Sequence, residues 1–392
     1  MHGAGPSGAL AALVLARQGW QVQLLDPLTD QQLCSRTRAY ALSHSSQRLL
    51  DRLELWEPLQ LALAPFRRLE LCDRAIDRQT TFTVADLPRR STRAAGRGER
   101  AVGWILQHGP LMDVLLTALR VEPGVTLQLG DATALATPPL SASPPDLVIA
   151  ADGHHSPTRR AAGLRCWGFA YRQGCLTVQV RLRGAEPDQA WELFRPEGPF
   201  AVLPLGGDAF QLVWSAPLDR LRQLERLDGA AFLDALSAAL PQRLQAEVLL
   251  DQPQAFPVGL AMAWPLHRQR TLLLGEAAHR CHPVGGQGLN LCWRDVAALA
   301  PLAQACTAGR LRPAALPGRF ACRRWLDLLL VLVATDALVR LFSNRWVPLL
   351  MLRHLALRLL TALRPLRTLS LGLMTEGLPR AAGLSRMPRI DP

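Results

Sequence analysis

The chain contains 392 residues, which is long enough for two domains with ample hydrophobic cores. All 44 basic residues are arginine, and the formal net charge is +12. A charge of that sign suits an anionic membrane surface or an acidic ligand as partner. Because no arginine-rich block is interleaved with aromatic residues, the composition disfavours nucleic acid, and we predict no nucleic-acid partner.

The eight cysteines are scattered along the chain, without a Cys-x-x-Cys pair and without a secretory signal peptide in front. This usage is typical of free thiols in a reducing compartment, so we expect a cytoplasmic protein. His279, Cys281 and His282 lie close together in sequence, but their spacing matches no common zinc-binding pattern. We therefore predict no metal site.

The first residues carry a dinucleotide-binding fingerprint. Gly3, Gly5 and Gly8 form the pattern G-x-G-x-x-G, a helix follows, and the next strand leads to Asp26. The first two glycines permit a tight turn and close approach of a pyrophosphate, and the third lets helix and strand pack together. Asp26 comes 18 positions after the last glycine. That spacing is close to the roughly 20 residues expected of an acid that binds a ribose hydroxyl.

Such a fingerprint normally follows a strand, but only Met1 and His2 precede Gly3. The missing strand would be a central one, and its loss would leave unpaired backbone groups in a buried parallel sheet. We therefore expect the true start of the protein to lie upstream of Met1. The alternative is a product that lacks this strand.

A second acid follows a strand in the sequence LVIAADGHHSPTRR, residues 147–160. The strand leads into Asp152 and Gly153, and Ser156 and Arg159 follow. An acid at this place can accept hydrogen bonds from ribose hydroxyls, and an arginine can pair with a phosphate. Alternatively, Asp152 and Arg159 pair with each other and hold the loop. Both interpretations stay open.

The most informative stretch is LLLGEAAHRCHPVGGQGLNLCWRDVAAL, residues 272–299. A short apolar strand ends at Gly275 and Glu276, at the edge where open α/β sheets bind their ligands. A glycine-rich loop follows, which would let a flat ligand lie against backbone amides. We predict a helix over 289–299, with the partial positive charge of its first turn directed at an anionic ligand in the loop.

These three motifs resemble those of the class A flavoprotein monooxygenases, the aromatic hydroxylases related to p-hydroxybenzoate hydroxylase. Within that family, GQGLN followed by Arg294 and Asp295 is most similar to the hydroxylases of ubiquinone biosynthesis. The family usually has Gly-Asp where this chain has Gly275 and Glu276. The resemblance implies that this acid binds the ribitol of FAD, and the additional methylene of glutamate keeps the acceptor but moves it by about 1.5 Å.

The resemblance implies FAD as cofactor and NAD(P)H as electron donor. The flavin would carry out the oxygen chemistry, while the protein supplies orientation, a dry cavity and electrostatics. Arg38, in an Arg-x-x-Ala-Leu segment, would approach the pyrophosphate or adenosine, unless it is a solvated surface arginine. The resemblance assigns cofactor binding to Gly3, Gly5, Gly8, Asp26, Arg38, Gln107, Asp152, Gly153, Arg159, Gly275, Glu276, Gly286, Gln287, Gly288, Leu289 and Asn290.

The candidate catalytic residues are His279, His282 and Pro283. The two histidines lie near enough in sequence to the flavin loop to relay protons from a phenol. Pro283 begins the loop that would shape the place where oxygen adds. The reaction that the resemblance implies is hydroxylation of an electron-rich aromatic ring, with NAD(P)H and O2 as co-substrates.

The motifs together predict an α/β fold in which a Rossmann-like FAD-binding domain is interrupted by a separate sheet. Alternating segments broken by Gly or Pro predict that this sheet is antiparallel, and the resemblance implies that it binds the substrate. We predict the FAD-binding domain over 1–65, 100–165 and 255–315, the substrate-binding sheet with its helix over 66–99 and 166–254, and a C-terminal helical region over 316–392.

Within the substrate-binding part, residues 218–250 read as helical. Phe194, Phe200, Leu203 and Trp214 are candidates for lining the substrate pocket, and the alternative for each of them is an ordinary core position. The basic stretch 88–100 is either an exposed loop near the substrate entrance or an insert without a role.

The C-terminal stretch 320–367 combines leucine-rich helical segments with arginines. Its apolar run 328–335 is too short to span a bilayer. Broad apolar faces flanked by arginines fit contact with a membrane surface, and the alternative is that these helices pack against the body of the protein.

The apolar, basic tail favours a lipophilic substrate, so we predict a polyprenylated phenol in quinone biosynthesis. Peripheral contact with the cytoplasmic face of the inner membrane and membership of a quinone-biosynthesis complex are the further partners considered. One alternative is a flavin-dependent reductase or epoxidase of the same superfamily that acts on isoprenoid chains. The other is an FAD-free accessory protein, which Glu276 and the missing strand would favour.

Overall fold

A computed structural model describes residues 1–88, 100–131 and 144–377. The positions 89–99 of the predicted basic loop lie outside the described residues. The helices are α1 (Pro6–Ala16), α2 (Asp30–Cys34), α3 (His44–Arg52), α4 (Trp56–Leu59), α5 (His108–Val121), α6 (Pro157–Ala161), α7 (Leu218–Glu225), α8 (Gly229–Ala239), α9 (Gln287–Thr307), α10 (Leu316–Phe342), α11 (Val347–Ala362) and α12 (Arg364–Glu376).

The strands alternate with these helices in the first part of the chain and follow one another in the middle. They are β1 (Val22–Asp26), β2 (Ala39–Leu42), β3 (Leu63–Phe66), β4 (Arg68–Asp73), β5 (Arg78–Thr83), β6 (Gly103–Gln107), β7 (Val125–Leu129), β8 (Val148–Ala150), β9 (Cys166–Arg183), β10 (Gln189–Phe194), β11 (Phe200–Gly206), β12 (Ala209–Pro217), β13 (Gln245–Leu249), β14 (Gln254–Ala263), β15 (His267–Arg268), β16 (Thr271–Leu273) and β17 (His279–Arg280).

The first residues of the chain lie between two parallel pairs of strands. β1 pairs with β7, and β16 pairs with β8. His2 forms parallel bridges to Leu25 on one side and to Ala150 on the other, so Met1 and His2 fill the centre of the sheet. The Met1 ammonium group donates to the carbonyl of Gln23 at 2.6 Å, and burial lowers its pKa to about 6. The gap that the sequence predicted is therefore occupied by these two residues.

Helix α1 joins this sheet to α9. It begins with Pro6 at its first position, where the missing N–H costs nothing, and its Ala and Leu side chains are buried nearly throughout. A helix that is apolar on all sides must be covered on all sides, and α1 contacts both α5 and α9. The resulting core contains most of the buried side chains of the cofactor layer.

The middle of the chain forms a nine-stranded sheet in the order β17-β14-β9-β12-β11-β10-β4-β5, with β13 on the end of β9. It is antiparallel except for the pair β10 and β4, which is parallel. The predicted antiparallel sheet is confirmed, and its one parallel pair arises because β10 reaches β4 from a distant part of the chain rather than through a hairpin.

Two element predictions in this region need correction. The stretch predicted as helical over 218–250 contains α7 and α8 but ends in β13, whose alternation Gln245–Leu249 pairs with β9. The stretch 255–263, predicted for the cofactor domain, belongs to β14 and pairs with β9 along its length. The wider division of the chain into domains stays a prediction.

The nine-stranded sheet has two different faces. Phe200, Val202 and Trp214 lie on the outer face and pack against α7 and α8. Because side chains alternate along a strand, Ala201 and Leu203 lie on the inner face, toward the cofactor layer. Of the candidate pocket residues, Phe200 and Trp214 are therefore outer-face core residues, whereas Leu203 and Phe194 lie in inner-face clusters.

The three C-terminal helices return to the body of the protein. Helix α10 contacts α9, α11 contacts β5, and α12 contacts α3. Arg48 on α3 pairs with Glu376 at the end of α12. On α11, Arg353 lies 3.2 Å from Asp73 of β4, and both side chains are completely buried. The tail is thus attached to α3 and to the nine-stranded sheet through charged pairs as well as apolar contacts.

A buried ionic network joins α10 to α9. The Asp295 carboxylate accepts from Arg324 Nε at 2.7 Å, and Asp327 accepts from Arg294 at 3.0 Å and from a second nitrogen of Arg324. Burial alone would raise the pKa of Asp295, but His279 and Arg324 lower it to about 2. The acid is therefore ionised at every pH at which the protein is expected to be folded.

Removing one partner from this network would leave charges buried without compensation. We expect Arg324→Met to lower the free energy of unfolding by about 3 to 5 kcal/mol, measured by urea denaturation. The control is Arg222→Met, since Arg222 makes an exposed pair with Glu225 on α7. That change should cost no more than about 1 kcal/mol. Equal effects of the two substitutions would contradict the importance of the network.

Candidate functional site

Three turns meet at the carboxyl ends of the parallel strands. Gly3 lies against the backbone of Ala151 and Asp152, so that a side chain at position 3 would collide with it. A Cβ atom added at Gly275 would lie 3.3 Å from the Cβ of Ser7, in the first turn of α1. The fingerprint, the second acid and the Gly275-Glu276 turn, which are far apart in sequence, therefore form one site.

The fingerprint turn has the geometry that its glycines require. A Cβ atom on Gly8 would collide with the carbonyl oxygen of Gly3, whereas one on Gly5 would meet nothing within 4 Å. Asp26 is buried, and its two carboxylate oxygens accept from the N–H groups of Ala4 at 2.7 Å and Leu28 at 2.9 Å. This acid therefore holds the turn and keeps only its remaining lone pairs for a ligand.

Asp152 has one free oxygen. Its Oδ2 atom accepts from the N–H of Thr158 at 3.0 Å, while Oδ1 is buried and has no hydrogen-bond partner in the structure. Gly153 follows with a φ of 82°, and a Cβ atom there would meet nothing within 4 Å. A buried carboxylate oxygen without a donor beside open space is suited to accept from a ligand hydroxyl.

Arg159 does not pair with Asp152, so the purely structural alternative for these two residues is wrong. The guanidinium group donates to the carbonyl of Ala277 at 2.7 Å and to that of His154 at 2.9 Å. Arg159 is buried, and these bonds join the turn after β8 to the turn after β16. Arg159 therefore fixes the relative position of the two turns.

Glu276 lies on a short 3-10 helix, Gly275–Ala277, and its side chain is about half exposed. Its carboxylate is 4.0 Å from the His154 ring. Burial lowers the pKa of His154, so that ring is mostly neutral near pH 7. Glu276 has the exposed, acceptor-bearing position that its predicted role requires, and that role stays a prediction.

The glycine-rich loop turns in two left-handed residues. Gly285 has φ 67° and Gly286 has φ 62°, a conformation that L side chains rarely adopt. Helix α9 starts at Gln287, two residues earlier than predicted, because these two glycines complete the turn before it. Among the residues that the structure describes, no side chain caps this end of the 21-residue helix, so its first N–H groups face the loop without a capping acceptor.

Asn290 holds the loop in place. Its Oδ1 atom accepts from Ser43 N–H at 2.9 Å and from the Ser46 hydroxyl at 2.7 Å, and its Nδ2 donates to the carbonyls of Ala41 and Gly286. The amide group is thus saturated by protein partners. Asn290 positions the loop against the segment before α3, and its side chain has no bond left for the cofactor.

The remaining loop residues are less engaged. Gln287 donates to the carbonyl of Gly285 at 3.0 Å and to that of Met374 on α12 at 3.4 Å. A Cβ atom on Gly288 would meet nothing within 4 Å. Leu289 packs partly buried against the core of the cofactor layer. The backbone at Gly288 is therefore open to a ligand, as a cofactor loop requires.

His279 is committed to the ionic network. Its Nε2 atom lies 2.7 Å from Asp295 Oδ2, which also accepts from the N–H of Gly275 at 3.1 Å. The ring is buried. The predicted relay of protons through His279 has no support in this geometry, since the ring nitrogen that is bonded faces Asp295 and fixes the turn.

His282 is fully buried beneath the loop. Its Nδ1 atom accepts from Val284 N–H at 3.2 Å, so the neutral ring carries its proton on Nε2, which has no partner in the structure. The ring packs edge-on against Tyr171 at 5.3 Å, and burial lowers the pKa of His282 to about 4. It is therefore neutral at physiological pH, and its role as a relay, like that of Pro283, stays a prediction.

Arg38 and Gln107 lie side by side at the end of the sheet formed by β2, β6 and β3. The N–H of His108 donates to the carbonyl of Arg38 at 2.8 Å. The Arg38 side chain is exposed, with its guanidinium carbon 5.9 Å from the centroid of the Phe256 ring. An exposed cation near the cofactor side of β14 is compatible with an approach to a phosphate.

Sequence reasoning missed the partners that hold the site together. Asp295 and Arg324 were not predicted to act there, although a charged pair inside the apolar sequence of α9 was a signal for a buried ionic contact. Ser43 and Ser46, which bind Asn290, gave no signal beyond a helix cap.

The described residues fit FAD. The buried Asp152 oxygen without a donor, the open space beside Gly5, Gly153 and Gly288, and the free first turn of α9 lie around the same edge of the sheet. They offer an acceptor for hydroxyls, room for a pyrophosphate and N–H groups for an anionic edge of a ring.

Comparison with known proteins agrees with this reading. Residues 140–316 match the family described as FAD binding domain. The chain is 30% identical to the 3-demethoxyubiquinol 3-hydroxylase of Escherichia coli, over 91% of this chain and 92% of that protein. It is 31% identical to the ubiquinone hydroxylase UbiL of Rhodospirillum rubrum, over 94% of this chain and 86% of that protein.

This chain belongs to the FAD-dependent ubiquinone hydroxylase family. The predicted family and the predicted FAD cofactor are confirmed, and the protein is an FAD-dependent monooxygenase that acts on an aromatic ring. The predicted fold class is confirmed as well. The p-nitrophenol 4-monooxygenase PnpA of Pseudomonas putida has the same fold, with a TM-score of 0.73, 17% identity, and 94% and 95% of the two chains covered.

If Asp152 contacts the cofactor, its removal should weaken FAD binding. We expect Asp152→Ala to raise the dissociation constant for FAD about 10- to 100-fold, the loss of one hydrogen bond to a charged acceptor. Fluorescence titration of the apoprotein with FAD measures it. The control is Asp146→Ala, because Asp146 is exposed before β8. Unchanged affinity in Asp152→Ala would rule out the contact.

Proposed function

We propose that this monooxygenase hydroxylates a polyprenylated phenol in the biosynthesis of a ubiquinone-like quinone, with O2 and NAD(P)H as co-substrates. The observation that carries the substrate class is an apolar, basic surface on the C-terminal helices, the last of which contacts the flavin loop. The names of the two bacterial relatives support the same class, since both refer to ubiquinone or its precursor.

The residues of the site divide into those that face the cofactor and those that hold its surroundings. Bound FAD supplies the oxygen-transfer chemistry. Asp152 and Glu276 accept hydrogen bonds from its hydroxyl groups, the turn at Gly5 admits the pyrophosphate, and the first turn of α9 stabilises negative charge on the ring. Asp26, Arg159 and Asn290 bind mainly to protein groups and orient these turns.

The C-terminal helices carry a broad exposed apolar surface, which we call the tail surface. On α10 to α12, the exposed large apolar side chains are Trp325, Leu326, Leu329, Leu330, Val333, Leu338, Val347, Met351, Leu352, Leu355, Leu359, Leu369 and Leu373. Exposed apolar patches of this extent are rare on monomeric proteins and are typical of membrane or protein contacts. Within the described residues, no helix is long and apolar enough to cross a bilayer.

The charges around the tail surface favour an anionic membrane. Arg358 and Arg364 are exposed on α11 and α12, and Arg340 is exposed on α10. The acids of the same helices are engaged: Asp327 in the buried network and Asp336 with Tyr171 and Arg340. Apolar side chains beside arginines are the composition of helices that lie in the membrane interface.

Helix α12 of the tail contacts the flavin loop. Met374, near the end of α12, accepts from Gln287 through its carbonyl, and a Cβ atom added at Gly285 would lie 3.7 Å from Met374 Cε. A phenol with an isoprenoid chain could thus remain in the lipid layer while its ring enters beside α12. This arrangement supports a lipophilic substrate over a small soluble phenol.

The reaction can be tested with FAD-loaded protein, NADPH and two phenols, 2-geranylphenol and 4-hydroxybenzoate. We expect faster phenol-dependent NADPH oxidation with 2-geranylphenol, and a ring-hydroxylated product that contains oxygen from isotopically labelled O2 by mass spectrometry. Efficient turnover of 4-hydroxybenzoate alone would contradict the substrate class. An epoxide or an unlabelled reduced product would favour the reductase or epoxidase, and a folded protein that takes up no FAD would favour the accessory protein.

Membrane contact can be tested by sedimentation with lipid vesicles. We expect the holoprotein to bind phosphatidylglycerol vesicles more strongly than phosphatidylcholine vesicles. The double variant Met351→Glu and Leu355→Glu should weaken that binding at least roughly tenfold, because two exposed apolar side chains that would enter the lipid are replaced by charges. The control is Leu61→Glu, since Leu61 is fully exposed at a distant site. Equal binding by the three proteins would contradict a membrane-contacting tail surface.

A further inference from the structure

Glu192 is a buried acid on the inner face of the nine-stranded sheet. It lies in the middle of β10, where Ala190 and Phe194 point to the same inner face by strand alternation and pack into inner clusters. Trp191 and Leu193 point the other way, into the outer core. The Glu192 carboxyl is therefore directed toward the cofactor layer rather than toward α7 and α8.

The inner face around Glu192 borders on open space. Ala201, Leu203, Val213 and Thr177 lie in the interior of the sheet, yet each keeps part of its surface accessible. Their outer-face neighbours on the same strands, such as Val202 and Leu212, are completely buried. A mid-sheet face that is half-covered and lined by small or apolar side chains is what a substrate cavity requires.

Glu192 faces the flavin loop. The backbone N–H of Gly285 lies close enough to the Glu192 carboxyl group to oppose the rise of its pKa. Two residues along β10, Phe194 packs in the same apolar cluster as Val284. Two inner-face residues of β10, Glu192 and Phe194, thus lie beside the loop, and Glu192 lies where the sheet meets the loop.

The surrounding charged groups do not neutralise Glu192. On the inner face, Asp73 of the adjacent strand is paired with Arg353 of α11, and Cys175 bonds to Ser215. Under the loop, His282 is neutral at physiological pH. Burial raises the pKa of Glu192 to about 7, with the Gly285 N–H opposing that shift. No ion pair of Glu192 occurs within the described residues.

We propose that Glu192 is the acid–base residue of the substrate pocket, which accepts the proton of the phenol hydroxyl during hydroxylation. This proposal rests on the proposed function and names a residue of the same site. No other ionisable side chain on the inner face combines burial, freedom from an ion pair and contact with the flavin loop within the described residues.

The proton transfer is balanced within the proposed reaction. The phenol O–H bond breaks, its electron pair stays on the phenol oxygen, and the proton moves to a Glu192 carboxylate oxygen. The added electron density activates the ring positions ortho and para to that oxygen. When the hydroxylated ring loses its C–H proton to water and regains aromaticity, the carboxyl returns its proton to the phenol oxygen. A base whose pKa is near the working pH is the most effective for such a step.

Binding provides a test that needs no turnover. Isothermal titration of the FAD-loaded, oxidised protein with 2-geranylphenol near pH 6, in buffers of different ionisation enthalpy, counts the protons released. Because the phenol binds to the carboxylate form, wild type should release about one proton per site. Glu192→Gln should release none, although its amide oxygen takes the place of a carboxylate oxygen beside the Gly285 N–H. Equal proton release by both proteins would overturn the proposal.

Turnover gives the second readout. In wild type, kcat/KM for hydroxylation should fall as the pH drops below about 7, because the carboxylate becomes protonated. In Glu192→Gln, kcat/KM should no longer fall below about pH 7, and its value should be about 100-fold lower than in wild type. Glu192→Asp should keep the fall of kcat/KM at low pH, with a lower kcat/KM than wild type. The Asp variant takes the place of the Gln variant if the Gln variant does not retain FAD. A Gln variant with wild-type rate and pH profile would overturn the proposal.

A matched control separates the proposal from general effects of a buried acid. Glu70 is also buried, on the adjacent strand β4, but it points to the outer face and is bound by Gln189 and Arg243. Glu70→Gln should leave the proton release and the fall of kcat/KM at low pH unchanged. If neither wild type nor any variant binds 2-geranylphenol, both the proposed function and the proposed acid–base role of Glu192 are wrong. If binding persists with the same proton count in all variants, only the Glu192 proposal fails.

Discussion

The Asp295 carboxylate is the contact on which the site depends. One of its oxygens accepts from the N–H of Gly275 and lies against His279, so it fixes both ends of the turn that carries Glu276. The other oxygen accepts from Arg324 on α10. A single buried acid on α9 therefore holds the flavin motif and the C-terminal tail in one arrangement. A displacement of α10 would change the hydrogen bonding of the turn.

A buried ion pair usually gives little net stability, because desolvation offsets the attraction. Here two arginines and two aspartates balance one another, and each carboxylate has more than one donor. The value of such a network is geometric: replacing it by apolar residues could keep the fold but would release the Gly275 N–H from its acceptor. The same logic applies to Asn290, whose four hydrogen bonds define the position of the loop rather than add much stability.

The sequence was sufficient to predict the convergence of the three motifs. Asp26, Asp152 and Glu276 each follow a strand, and the carboxyl ends of parallel strands meet at one edge, so their proximity follows from local patterns alone. The Ala277 carbonyl that binds Arg159 and the Asp295 carboxylate that binds His279 could not be predicted, because both are more than 15 residues away and their positions depend on packing. Whether Phe200 and Glu192 face inward or outward depends on strand register. A shift of register by one residue exchanges the two faces, and sequence alternation alone does not say which register forms.

The flavin loop is the place where the three parts of the protein meet. Asn290 fixes it from the cofactor layer, Glu192 and Phe194 contact it from the sheet, and Met374 contacts it from the tail. Two consecutive left-handed glycines let the backbone turn between these contacts, and a Cβ atom on Gly286 would lie only 2.9 Å from the Cβ of Ala41. A loop that is held from three sides has little conformational freedom, so its position depends on the position of each of the three parts that contact it. The contacts from the cofactor layer, the sheet and the tail therefore act on the same short stretch of backbone, and a shift of any one of these three parts would move the loop.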